Sequence, residues 1–193
     1  MTWDIKRSLY GAGASFLAMV GVCIALYPHI FRNYQYGISE FGAVHRTHIP
    51  FFIGFAATVF FLVRIAFLLR TADKPLSYLF CWVAFCMGGI AVTSYPIDRL
   101  WYDLHWVFVG MLVLGILAAM AMLTKRHAAG RLDYLLMTLF LVTTFVSILP
   151  VVHDIPGVRQ FIPRELLGFV SSFWVLGRAA VNDGEEPPNK TSG

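Results

Sequence analysis

Six runs of roughly 20 mostly apolar residues fill this chain, and their length and spacing constrain its fold more than any single motif. A helix rising about 1.5 Å per residue needs about that many residues to cross about 30 Å of hydrocarbon. The runs are Ser8–Tyr27, Ile49–Leu69, Ser77–Tyr95, Leu104–Thr124, Leu132–Val151 and Phe161–Val181. Short polar connections punctuated by Pro and Gly separate them, and only 29–48 is long enough to hold structure of its own. With 58% hydrophobic and 13% charged side chains, a water-soluble fold of 193 residues could not bury its apolar surface. Disordered, collagenous, disulfide-framework and nucleic-acid-binding classes are thereby excluded as the main reading, despite a pI near 9.1. The expectation is an all-α polytopic membrane protein. Residues 1–181 would form a six-helix transmembrane bundle, and 182–193 (NDGEEPPNKTSG) a disordered cytoplasmic tail.

The first run follows Lys6 and Arg7 but ends in Tyr27-Pro28-His29, so it reads as a retained signal anchor rather than a cleaved leader. Positive residues favour the cytoplasmic side. An inside N-terminus places ten of the 15 Lys and Arg there (Lys6, Arg7, Arg64, Arg70, Lys74, Lys125, Arg126, Arg131, Arg178 and Lys190). Arg32, Arg46, Arg99, Arg159 and Arg164 fall outside. The expected location is a bacterial-type inner membrane, multi-pass, with both termini cytoplasmic. Arg64, inside the second run, can snorkel to the inner headgroups. Cys23, Cys81 and Cys86 all lie in spans; Cys81 and Cys86, five residues apart, point to different sides and match neither a redox pair nor a zinc knuckle. Trp3, Tyr27, Tyr95, Trp101, Tyr102, Trp106 and Tyr134 fall where amphipathic rings anchor at the headgroups. Gly11, Ala14, Ser15 and Ala18, Gly88 and Gly89, and Gly168 with Ser172 permit close helix approach, within a bundle or in a homodimer.

In this topology the residues able to do chemistry gather on the outer face. A polar pocket at the outer leaflet is expected from Ser39, Glu40, His45, His48, Asp98, Asp103 and His105, with Arg164 and Glu165 on the same rim. Each has a plain structural alternative. Asp98 can close a turn after Pro96, Asp103 can cap the fourth helix, Arg164 can pair with a carboxylate, and Glu165 suits a helix N-terminus. His105 resists a capping role, since it falls within the first turn of its run. An ionisable group there is either wetted at the interface or paired inside the bundle. His45 and His48 precede Pro50 and are expected in the loop; with His105 they are candidate ligands for a metal ion. Heme is disfavoured, because electron transfer across the membrane usually needs a second carrier near the inner face, where His127 stands alone. His153-Asp154 end the fifth run on the outer side. No GxSxG, HExxH, Walker or GxGxxG signature is present.

Three of these features together, Ile38-Ser39-Glu40-Phe41-Gly42, Tyr95-Pro96-Ile97-Asp98 and His105 opening the fourth span, resemble the bacterial and archaeal family called domain of unknown function 998. A more distant likeness is to the damage-regulated autophagy modulator families. The resemblance covers most of the six spans. It implies a six-helix membrane bundle with an Ile-Ser-x-x-Gly outer loop and a Pro-x-Asp/His pair, at Ser39, Gly42, Pro96, Asp98 and His105, and no established activity. His45, His48 and His153 have no counterpart in it.

The preferred reading is a non-enzymatic membrane protein whose outer pocket binds a lipid headgroup or a membrane-protein partner. The rival is an integral membrane hydrolase or transferase acting on a lipid, with Asp98 and His105 as carboxylate and base or as metal ligands. A transporter would need polar residues deep in the spans, whose middles are apolar apart from Arg64 and scattered Ser and Thr. Nucleic acid is not an expected partner.

Overall fold

The computed structural model describes residues 2–29, 37–94, 99–125, 129–153 and 162–181, with backbone alone at residue 2 and at 147–153. Among the described residues lie seven helices and no strand. They are α1 (Thr2–Leu26), α2 (Glu40–Ala43), α3 (His48–Leu69), α4 (Lys74–Thr93), α5 (Arg99–Lys125), α6 (Arg131–His153) and α7 (Ile162–Val181). Four of them, α1, α3, α4 and α5, are long and apolar enough to cross a membrane. The tail 182–193 lies outside the described residues.

Each long helix coincides with one apolar run, and three begin well before it. α1 starts at Thr2 with Asp4 in its first turn, where a carboxylate favours the helix dipole. α4 starts at Lys74 because Asp73 caps it, accepting the Leu76 N–H at 3.1 Å, and Pro75 suits a first turn that needs no amide donor. α5 starts at Arg99, five residues before the apolar run. Outward faces carry rows of large apolar side chains at seven-residue spacing, Tyr78, Phe85 and Val92 on α4 and Leu100, Val107 and Leu114 on α5, all exposed. Rows of this kind on successive helices suit lipid and would be an aggregation surface in water.

The long helices close a ring. α1 packs on α3, α3 on α4, α4 on α5, α5 on α7, and α7 returns to α1; α6 packs on α7. Among the described residues α5 and α6, consecutive in sequence, make no comparable contact. Close approach at glycine sets several of these seams. A Cβ on Gly11 would stand 2.7 Å from the Phe61 ring, and one on Gly54 would overlap the base of the Met19 side chain, so α1 and α3 meet almost backbone to side chain. Gly89 and Gly115 do the same for α4 and α5 under Phe108 and Trp82. Gly88, read above as a packing glycine, faces open space. Phe16 on α1 closes the ring by stacking on Phe169 and Phe173 of α7, with centroids 4.5 and 5.8 Å away, and meets Phe55 of α3 edge-on.

Leu9 near the start of α1 lies beside Gly177 near the end of α7, so both described ends of the chain occupy one end of the bundle. At that end Asp133, buried at the start of α6, accepts hydrogen bonds from the Gly130 N–H at 2.7 Å and from Trp174 Nε1 of α7 at 2.8 Å. Arg178 adds an ion pair at 3.3 Å. Cys81 is exposed and Cys86 buried, as their spacing requires, and the three thiols are free.

Candidate functional site

At the opposite end of the bundle, residues 37–47 fold back over the helices. Ile38 and Phe41 are buried, and Gly42 is pressed against Ser94 and Phe51 with no room for a Cβ. Thr47 Oγ1 donates to the Phe41 carbonyl at 2.7 Å, and His48 Nδ1 bonds the Gly42 carbonyl at 2.7 Å. The Ile38 N–H donates to Glu165 Oε2 at 2.7 Å, tying the segment to the first turn of α7. The Ile-Ser-x-x-Gly stretch is therefore a fitted plug.

Beneath it a cavity of about 150 Å³ runs between α3, α4, α5, α6 and α7. On α5 it is lined by His105, Trp106, Val109, Val113 and Ile116, one face of the helix; on α7 by Glu165, Gly168, Ser172 and Leu176, again one face. The lining runs from His105 to Ile116 on α5 and from Arg164 to Leu176 on α7, roughly 16–18 Å at helical rise, about the hydrocarbon depth of one leaflet. Its polar members crowd one end: Ser39, His105, Trp106, Arg164 and Glu165. Deeper walls are Phe, Leu, Val, Ile and Met, apart from Thr143, Thr144 and Ser172. The hydroxyl of Ser172 donates to the Gly168 carbonyl of its own helix, so it asks nothing of an occupant.

His105 is held against α4. Thr93 Oγ1 lies 3.2 Å from His105 Nδ1 and 2.7 Å from the Gly89 carbonyl. The single hydroxyl proton goes to the carbonyl, so the imidazole donates from Nδ1 toward Thr93, and the ring also bonds the Ile90 backbone, an assignment drawn from the network. Trp106 differs: its indole nitrogen is buried and has no hydrogen-bond partner among the described residues. The Glu40 charge is felt at Glu165. Burial pushes the Glu40 carboxyl above its ordinary range.

Of the residues expected to form one pocket, the structure brings Ser39, His105, Arg164 and Glu165 to the cavity, with Glu40 beside them. His45 is exposed in the turn before α3, and His48 bonds the Gly42 carbonyl through Nδ1. Two expectations need correcting. His48 is the first residue of α3, not part of the loop, because Thr47 already ends the turn. Asp103 does not cap α5: the helix begins at Arg99, so Asp103 sits in its second turn, exposed. The same early start carries His105 six residues into the helix, about 9 Å, deeper than the first turn expected. Asp98, with Tyr95, Pro96 and Ile97, lies outside the described residues, as do His127 and Asp154. Among the described residues no three His, Cys, Asp or Glu side chains converge as a metal site.

Sequence reasoning missed Trp106, taken there as a headgroup anchor, and the entire apolar part of the cavity. The spacing of His105, Val109, Leu112 and Ile116 marks that face, but the outward face of α5 is equally apolar. No family model, curated protein or solved structure matches the chain.

Proposed function

We propose that this chain is a six-span membrane protein that binds a lipid-like amphiphile inside its bundle, apolar portion between α5 and α7 and polar head under the 37–47 plug. The observation that carries this reading is the layout of the cavity, with polar side chains at one end and an apolar shaft one leaflet deep behind them. A cavity near 150 Å³ has room for one small apolar group, such as a ring or part of one acyl chain, rather than a whole phospholipid. A lining drawn from five helices suits a ligand more than a second membrane protein. Counting α6 and α7 as spans is supported by the outward rows Leu135, Val142 and Phe145, and Leu167, Val170 and Trp174. Lysine and arginine bias supports cytoplasmic ends in an inner membrane, which sets the polar mouth at the outer leaflet. The likeness to the family called domain of unknown function 998 belongs to this same reading, its Ile-Ser-x-x-Gly loop being the plug.

The test is photolabelling of the purified protein in lipid nanodiscs with a diazirine-bearing acyl lipid, read by peptide mapping. Label on the inner faces of α5 and α7, at Val109, Val113 or Phe169, is the expected result. Label confined to outward residues such as Val107, Leu114 and Val170 would mean annular lipid alone and would overturn the reading.

A further inference from the structure

The mouth of the cavity makes one chemical demand that the protein itself leaves unmet. An indole N–H is a donor only, and a buried donor without an acceptor carries a desolvation cost that native interiors rarely leave uncompensated. Trp106 lines the cavity, its Nε1 is buried, and among the described residues it finds no acceptor. Its ring is fixed by edge contacts with Tyr102 at 6.2 Å and His105 at 6.1 Å. His105 bonds Thr93 and Glu165 accepts from the Ile38 N–H, and among the described residues neither of them makes a hydrogen bond to the indole. Beyond Trp106 the α5 wall is Val109, Leu112, Val113 and Ile116, where no acceptor side chain exists. No described residue supplies this acceptor; an oxygen of the occupant, at the junction between its polar head and its apolar part, would supply it.

Charge narrows the head. Arg164 and Glu165 cancel formally at the lining, and Glu40 stands close enough to add a negative field. A phosphate or sulfate head would be set beside two carboxyl groups here, whereas an uncharged hydroxyl or ester oxygen needs no counter-charge. Resting on the amphiphile-binding reading above, we infer that Trp106 is the specificity-determining donor of this site, and that its ligand is an uncharged lipid, an alcohol or an ester. The ligand's oxygen accepts from Trp106 Nε1 while its chain or ring fills the shaft toward Ile116.

Displacement of the photolabel by a series of equal chain length tests this without altering the protein: tetradecane, tetradecan-1-ol, methyl myristate and tetradecyl phosphate, each delivered at matched mole fraction in nanodiscs. The alcohol or the ester should displace inner-face label about tenfold better than the alkane, the effect of one buried hydrogen bond together with relief of an unsatisfied donor. Which of the two is stronger separates a hydroxyl ligand from an ester ligand. Trp106→Phe keeps the aromatic contacts and removes the N–H, and should bring both to within twofold of the alkane. Inner-face label that the alkane displaces as well as the oxygen-bearing lipids, or a preference that survives Trp106→Phe, overturns the inference while leaving the amphiphile reading intact. Tetradecyl phosphate outcompeting the alcohol and the ester overturns it as well. Absence of any inner-face label is the separate failure of the amphiphile reading.

Discussion

Removal of the Asp133 carboxylate should loosen α6 and, with it, one wall of the cavity. α6 packs on α7, and its start is pinned through Asp133, which accepts from Gly130 N–H, Trp174 Nε1 and Arg178. In Asp133→Ala the partly exposed indole of Trp174 loses a charge-assisted bond, worth roughly 1.5 kcal/mol. Loss of the Gly130 bond costs about 1 kcal/mol, as for a helix cap. The Arg178 side chain is 38% exposed, so solvent screening leaves its ion pair only a few tenths of a kcal/mol. The sum is about 3 kcal/mol, about a hundredfold in a local opening equilibrium. Asp133→Asn keeps one acceptor oxygen and should cost about half as much. Hydrogen exchange of the detergent-solubilised protein reads this locally. Amides of 131–146 should exchange about a hundred times faster in Asp133→Ala, with α3 unchanged. Because Phe140 and Thr143 line the cavity, inner-face photolabelling should also fall in the same variant. The reasoning fails if Asp133→Ala and Asp133→Asn behave alike, or if exchange rises equally in α3 and α6, since the first denies the hydrogen-bond account and the second denies that α6 is held separately.

Two further outcomes follow from the geometry. Gly54→Ala drives a Cβ into the base of Met19, which cannot rotate away, and should destabilise by about 1–3 kcal/mol. Gly88→Ala meets nothing within 4 Å and should stabilise by up to about 1 kcal/mol through helix propensity; parallel thermal unfolding in detergent checks both, and equal midpoints would deny the close approach of α1 and α3. Glu40, whose carboxyl is raised above its ordinary 4.5 by burial, binds its proton more tightly folded than unfolded. Its contribution to stability is complete below that ordinary value and is lost as pH rises through the folded one. Wild-type stability should fall with rising pH in that window and Glu40→Gln should remove that component; two parallel pH profiles would contradict the burial argument.

Which parts of this molecule could be read from residues alone follows from what each helix shows its neighbours. The six long helices were legible because a run of about 20 apolar residues has few other folds open to it. Their inner faces were not, because a helix with large apolar side chains on its outward face as well as its core face is apolar all round. On α5 the outward row Leu100, Val107 and Leu114 and the inward row Val109, Leu112 and Ile116 carry the same chemistry, so no periodicity tells them apart. On α7 Glu165, Gly168 and Ser172 recur at helical spacing among bulkier residues, but Arg164 and Glu165 were found as charged groups on the outer rim rather than from that face. His105 shows how much a boundary matters. The apolar run opens at Leu104, which put the histidine at the rim beside Asp103; the helix opens at Arg99, which puts the histidine inside and leaves the aspartate outside. Two residues apart on a helix are about 200° apart in direction, so no single pocket on this face could have held both.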